Sequence, residues 1–232
     1  MIRVEEISKK FRSLVVLDKV NIEITDRTVV AILGPSGVGK TVLLRIMAGL
    51  LEPDSGRVWF DNRPIRYGMF ADNTQVTGGL GFVFQTGALL DSLTVAENIA
   101  LPLEEHRQLK PVEVSKRVAE VLTQVGMAGT ERLFPKVLSG GMTKLVAIAR
   151  ALVLNPRYLF FDEPTSGLDP ALRRRIGNLI RSLRDNEGKT CLVVTHDLET
   201  ATQIADRLFM LKAGRLEPAD GVRKEDYEQA YP

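Results

Sequence analysis

Residues 34–41 read Gly34-Pro35-Ser36-Gly37-Val38-Gly39-Lys40-Thr41, the G-x-x-x-x-G-K-[ST] spacing that suits a phosphate ester. Glycines let the backbone curl so that several N–H groups point at one phosphate. Lys40 adds a full positive charge, Thr41 offers a hydroxyl to Mg²⁺, and Val42 follows them at the start of a helical stretch. A second group is Asp162-Glu163, directly after the apolar run Tyr158-Leu159-Phe160-Phe161. Asp162 is suited to holding Mg²⁺ through water, and Glu163 to polarising an attacking water. Two adjacent acids at the end of a buried strand are costly unless a cation or a polar network meets them. A third group is Ser139-Gly140-Gly141, ahead of another helical stretch. Ser139 can cap that helix while the glycines leave its amides uncovered, which makes a second anion site far along the chain from the first. This chemistry is that of nucleoside triphosphate hydrolysis. The phosphate loop by itself leaves ATPases, GTPases and nucleotide kinases open.

These residues need rigid elements to carry them. Val29-Val30-Ala31-Ile32-Leu33 is a continuous apolar run with β-branched members, the pattern of a strand buried on both faces, and it feeds the loop at Gly34. Val20, Ile22 and Ile24 alternate with Asn21 and Glu23, as in a half-covered strand. Residues 57–60, 81–84, 158–161 and 191–195 read as further strands, and 209–216 as a hairpin turning at Ala213-Gly214. Helical spacing covers 41–50, 112–125, 140–154, 173–183 and 198–205. Alternating strands and helices favour a largely parallel sheet. A helical insert over roughly residues 86–155 separates two halves of a nucleotide core, 1–85 and 156–216, and residues 217–232 read as a polar surface tail.

The 232 residues suffice for one large domain, and 44% hydrophobic with 26% charged residues is ordinary globular composition. Lys+Arg 31 against Asp+Glu 29 gives no sign of a general nucleic-acid binder. The single cysteine, Cys191, lies in an apolar run, which points to a buried, inert thiol. No stretch reaches the roughly 18 apolar residues of a membrane helix, so a membrane role is expected to come through another chain.

Leu138-Ser139-Gly140-Gly141 before Ala147-Ile148-Ala149-Arg150-Ala151-Leu152 resembles the signature motif of the ABC ATPases. Gln85 resembles that family's Q-loop glutamine, Ser166-Gly167-Leu168-Asp169 its D-loop, and His196 in Val194-Thr195-His196-Asp197 its switch histidine. Phe11 stands where the family places the aromatic that stacks on adenine. The resemblance covers about residues 1–216. It implies an α/β fold of the P-loop NTPase, ABC type: a RecA-like, mostly parallel core with an N-terminal antiparallel β-subdomain and an inserted helical subdomain. It also implies an ATPase using ATP and Mg²⁺, with Thr41, Gln85 and Asp162 toward the metal. In catalysis it gives roles to Glu163, His196, Gln85 and Lys40. Asp169 is implied to reach across a homodimer packed head to tail, in which each ATP lies between the phosphate loop of one subunit and the signature of the other.

The chain departs from the common pattern at Met142, where glutamine is usual, and at Leu145, a place often filled by arginine; the stretch from Tyr67 to Gly79 lacks a common basic helix. Met142 and the segment Phe84-Gln85-Thr86-Gly87-Ala88-Leu89-Leu90-Asp91 through Leu103 are similar to the ATPases of MCE-linked bacterial phospholipid transporters. That resemblance implies multi-span permease subunits docked in a groove after Gln85 and an MCE-domain protein in the same complex; Leu89, Leu90 and Leu93 are placed either to line that groove or to pack inside the helical subdomain. It places the chain peripherally on the cytoplasmic face of the bacterial inner membrane, without nucleic acid. Other ABC systems, for lipoprotein release, amino acids or small solutes, and a soluble ABC assembly factor share the nucleotide motifs and remain alternatives. A GTPase does not fit, since no Asn-Lys-x-Asp run reads guanine.

Overall fold

The computed structural model describes residues 1–68, 73, 76, 79–106, 109–221 and 227. Among the described residues ten strands form two sheets. The first is antiparallel, in the order β2-β1-β4-β5, from β1 (Ile2–Phe11), β2 (Leu14–Ile24), β4 (Ser55–Phe60) and β5 (Arg63–Pro64). The second runs β10-β9-β3-β8-β7-β6, from β3 (Val29–Leu33), β6 (Leu80–Val83), β7 (Tyr158–Asp162), β8 (Thr190–Thr195), β9 (Arg207–Lys212) and β10 (Arg215–Pro218). Its strands are parallel except β10, which returns antiparallel to β9. The hairpin joining those two turns at Ala213 and Gly214, both at positive φ (47° and 77°), the conformation a two-residue hairpin loop with the sheet's own twist requires.

Six helices complete the described architecture: α1 (Lys40–Met47), α2 (Val95–His106), α3 (Pro111–Gln124), α4 (Gly140–Leu152), α5 (Pro170–Glu187) and α6 (Leu198–Ile204). The second sheet separates two apolar cores. Val30, Ile32, Phe160, Leu192 and Val194 face the antiparallel sheet and α1. Val29, Leu159, Phe161, Cys191 and Val193 face α2, α3, α4 and α5. Side chains alternate between faces along a strand, so a strand covered on both sides must be apolar throughout. That is why residues 29–33 and 191–194 carry no polar interruption.

Boundaries shift where capping decides them. The helix expected over 173–183 starts at Pro170, because the Asp169 carboxylate accepts hydrogen bonds from the Ala171 and Leu172 amides and Pro170 suits a first turn. It runs on to Gly188 at φ 63°. The helix expected over 41–50 stops at Met47, before Gly49 at φ 76°. The strand Ile2–Phe11 lies between β2 and β4 as an inner strand of its sheet. The expected tail from 217 begins inside the fold: β10 reaches Pro218, Ala219 is buried, and Asp220 accepts from the Leu208 amide. Most of the basic-helix region between Tyr67 and Gly79 lies outside the described residues. Among the described residues no helix is long and apolar enough to cross a membrane.

Asn98, fully buried in α2, organises the segment after Gln85. Its side-chain oxygen accepts from the Leu90 amide, and its nitrogen donates to the carbonyls of Leu90, Leu93 and Thr94. Removing the amide strands these buried backbone groups. Asn98→Ala is expected to destabilise the chain by about 2–3 kcal/mol, read as a lower urea midpoint at unchanged m value.

Candidate active site

Three parallel strands, adjacent in the order β3-β8-β7, end on one edge. Leu33 pairs with Thr195, and Asp162 with Val194, so the residues that follow each strand meet at the carboxyl ends, where open α/β sheets bind ligands. β3 delivers the phosphate loop, β7 delivers Asp162 and Glu163, and β8 delivers His196.

The loop wraps Lys40. Its ammonium donates to the carbonyls of Gly34 (2.7 Å) and Pro35 (3.0 Å) and lies 3.4 Å from Glu163 Oε1. Gly39 is at φ 112°, and a Cβ there would stand 2.7 Å from a Val16 methyl, so the loop closes on β2 only with glycine. Val38 packs on the core beneath. Thr41 Oγ1 donates to Asp162 Oδ1 at 2.8 Å. Burial pushes the Asp162 carboxyl above the usual carboxylate range, opposed by that hydrogen bond and aggravated by the Glu163 charge.

Glu163 has φ 48°, a left-handed conformation a side chain adopts at a cost. Its amide donates to Val194 O, which ties it to β8. Its Oε2 accepts from Thr195 Oγ1 (3.2 Å) and lies 2.9 Å from His196 Nδ1. The buried carboxylate thus sits between Lys40 and His196, whose side chain is 50% exposed. A cleft of about 360 Å³ gathers Phe11, Val16, Ser36, Gly37, Gly39, Lys40, Thr41, Val42, Gln85, Glu163, Ser166 and His196. Phe11, 45% exposed, stands at its rim with Lys9 over the ring at 5.7 Å.

Not every expected residue reaches this cleft. Gly34 and Pro35 serve it through their carbonyls on Lys40, and Asp162 stands behind Thr41. Ser139, Gly140 and Gly141 lie apart from it. Ser139 caps α4, its Oγ accepting from the Met142 amide at 3.2 Å, and Ser139 and Gly140 are exposed. Gly141 is buried against Leu172, whose Cδ2 an added Cβ would meet at 1.9 Å. Asp169, expected to face a partner, caps α5 within its own chain. The departures at Met142 and Leu145 are packing choices: Leu145 is buried in the helical core and Met142 lies against it. Cys191 is buried as expected, its thiol pushed up to about 12 by burial.

Lys144 was not singled out by its sequence context, although it shares a helical stripe with the buried Gly141, Leu145 and Ile148. A lysine on an apolar stripe is the signal that finds it. Arg150 is a second such residue, donating to the carbonyls of Gly87 and Ala88 at 2.7 Å each.

Mg²⁺ favours hard oxygens, keeps several waters and arrives with phosphates. Among the described residues no cluster of three or more His, Cys, Asp or Glu could hold a metal on its own. The Thr41 hydroxyl, the Asp162 carboxylate and the Gln85 side-chain oxygen are donors of the right type, and burial leaves Asp162 in need of a cation; these residues fit the ion. Bound there, Mg²⁺ would offset phosphate charge.

The ABC transporter family matches residues 17–166. The chain belongs to this family. It is 41% identical over 219 residues to a sulfate/thiosulfate import ATP-binding protein of Caulobacter vibrioides, covering 93% of this chain and 63% of that protein. A probable sulfate/thiosulfate import ATP-binding protein of Chlorella vulgaris is 39% identical over 215 residues, covering 93% and 89%. The chain therefore spans less than two thirds of the Caulobacter relative's length. Among solved structures, the ATP-binding cassette MJ0796, dimeric in a post-hydrolysis state with ADP and Pi, superposes with a TM-score of 0.84 at 33% identity, covering 96% of this chain and all of that one. CbiO1 from Clostridium perfringens, part of an ABC transporter complex, gives 0.84 at 31% identity, covering 99% and 93%. As an ABC ATP-binding domain this chain is an ATPase that takes ATP with Mg²⁺.

Asp162→Asn keeps the shape and removes the charge offered to Mg²⁺. It is expected to bind ATP in EDTA about as the parent does and to lose the gain in affinity that Mg²⁺ brings, read by titration of a fluorescent nucleotide with and without the ion.

Proposed function

We propose that the chain dimerises head to tail around MgATP and drives membrane permease subunits, with Glu163 as the base that polarises the attacking water. One observation carries this reading. The phosphate loop, Glu163 and His196 share a cleft, while Ser139 and Gly140 stand exposed outside it. A γ-phosphate in the cleft of one chain would leave its own signature amides unused. A second copy, turned head to tail, would bring its signature to that phosphate, so ATP would join the subunits. Lys40 and the phosphate-loop amides would hold the phosphates, His196 would orient the γ-phosphate and hold the Glu163 carboxylate, and Gln85 would sense metal and water. Phe11 would stack on adenine, and Asp169 would face the partner's site at its helix cap.

Residues 86–155 would act as an arm that carries the signature and receives the permease. The core they share with the sheet supports this unit. The expected docking leucines divide: Leu89 packs into the helical core, while Leu90 is 49% exposed. For cargo we propose phospholipid or a related lipid, with an MCE-domain partner at the cytoplasmic face of the inner membrane. This is supported by Met142 and the segment after Gln85. The second reading is sulfate or thiosulfate import, favoured by the names of the relatives.

Glu163→Gln is expected to bind MgATP as the parent does and to lose at least about a hundredfold in turnover, with ATP-dependent dimers that persist in gel filtration. Undiminished turnover would remove Glu163 from the role of base. For cargo, the tagged chain is purified from native membranes in mild detergent and its proteins and lipids are identified. An MCE-domain protein with a permease and phospholipid is the expected result. A sulfate-type permease would establish the second reading, and recovery without any membrane protein would favour a soluble assembly factor.

A further inference from the structure

Lys144 is 7% exposed and lies on the inward face of α4. Its ammonium donates to the backbone carbonyl of Gln85 at 2.5 Å and to that of Glu163 at 2.8 Å. A buried ammonium costs several kcal/mol unless its donors are met, and every neighbouring position on this stripe is filled by an apolar residue or glycine. Burial pulls the Lys144 pKa below the usual lysine range, while Glu163 and Asp162 push it back up. The charge therefore stands in an unfavourable place, held by contacts that both belong to the hydrolytic site.

The two carbonyls come from different parts of the chain. Gln85 follows β6, and Glu163 follows β7. The Glu163 backbone is left-handed, and the Thr195 and His196 contacts are made by its carboxylate. Its carbonyl accepts from the Lys144 ammonium at 2.8 Å and from the Ser166 amide at 3.3 Å. Arg150, on the same helix, grips the Gly87 and Ala88 carbonyls but not Glu163. Lys144 is thus the point at which the signature helix meets both the glutamine loop and the acid.

We infer that Lys144 is a positioning residue for ATP hydrolysis: its ammonium joins the Gln85 and Glu163 backbones so that both side chains aim at one water. Any rotation of α4 that draws Lys144 away releases both aims together, so the position of the signature helix is transmitted to the reacting centre. The inference rests on the roles proposed above for Glu163 and Gln85.

Two variants of the full chain test it. Lys144→Met keeps length and apolar stem and removes the donors; Lys144→Gln keeps an N–H₂ group able to reach a carbonyl. Lys144→Met is expected to lower kcat roughly tenfold to a hundredfold and to leave the MgATP Kd within about threefold. The amides of residues 84–90 should exchange faster in hydrogen exchange. Lys144→Gln is expected to recover much of the lost kcat. Parental kcat in Lys144→Met would overturn the inference and leave the Glu163 reading standing. Loss of kcat and affinity together, with lowered Tm and no recovery in Lys144→Gln, would reduce Lys144 to a packing residue and overturn it too. Parental turnover in Glu163→Gln would fail the reading of Glu163 itself, and this inference with it.

Discussion

Two carboxylates at the end of a strand buried on both faces are the constraint around which the rest is arranged. Asp162 and Glu163 leave β7 where water is scarce, and neither is tolerable there without charge or hydrogen bonds. Asp162 meets the Thr41 hydroxyl; Glu163 meets Lys40, Thr195 and His196. Thr195 and His196 stand at the end of the adjacent strand β8, and Lys40 and Thr41 open α1 after the loop that leaves β3. The parallel order β3-β8-β7 is therefore as much an electrostatic arrangement as a packing one. An antiparallel neighbour would bring its other end, and the acids would be unpaired.

The same logic extends outward. The Gly34 and Pro35 carbonyls of the phosphate loop accept from the Lys40 ammonium, which holds the lysine against the loop. Behind the acids, Lys144 and Arg150 hold carbonyls of the segment from Gln85 to Ala88, and Asn98 fastens the segment that follows. The helical part is thus joined to the hydrolytic site by charged and amide side chains acting on backbone carbonyls. Such bonds depend steeply on distance and direction, which suits a connection meant to register small rotations more than a purely apolar interface would.

The motifs and the relatives answer different questions. Phosphate loop, acids, histidine and signature point to the family, which the match over residues 17–166 shows. They say nothing of a docking surface. Leu90 is exposed and Leu89 partly buried against the helical core within one short segment, which shows how little a run of apolar letters says about such a surface. The relatives are named for sulfate or thiosulfate import and match over 93% of the chain, whereas the lipid resemblance rests on Met142 and the segment after Gln85.

Much of the fold was legible in the chain. The unbroken apolar runs at 29–33, 158–161 and 191–194 were recognisable as strands covered on both sides, because side-chain alternation leaves no polar face to such a strand. The phosphate loop declared itself through glycine spacing, since its backbone needs conformations and clearances that only glycine gives, as at Gly39. Helix ends were less legible, because Asp169 and Gly188 act as caps only once the chain turns there. Tertiary structure alone decided that Ser139 and Gly140 lie away from the cleft, that Asp169 caps its own helix, and that Lys144 is a buried bridge between Gln85 and Glu163. These depend on which segments, dozens of residues apart in sequence, come within a hydrogen bond of each other. Local patterning records the covering of a face, but a lysine reads the same in one dimension whether it ends in water or on two carbonyls.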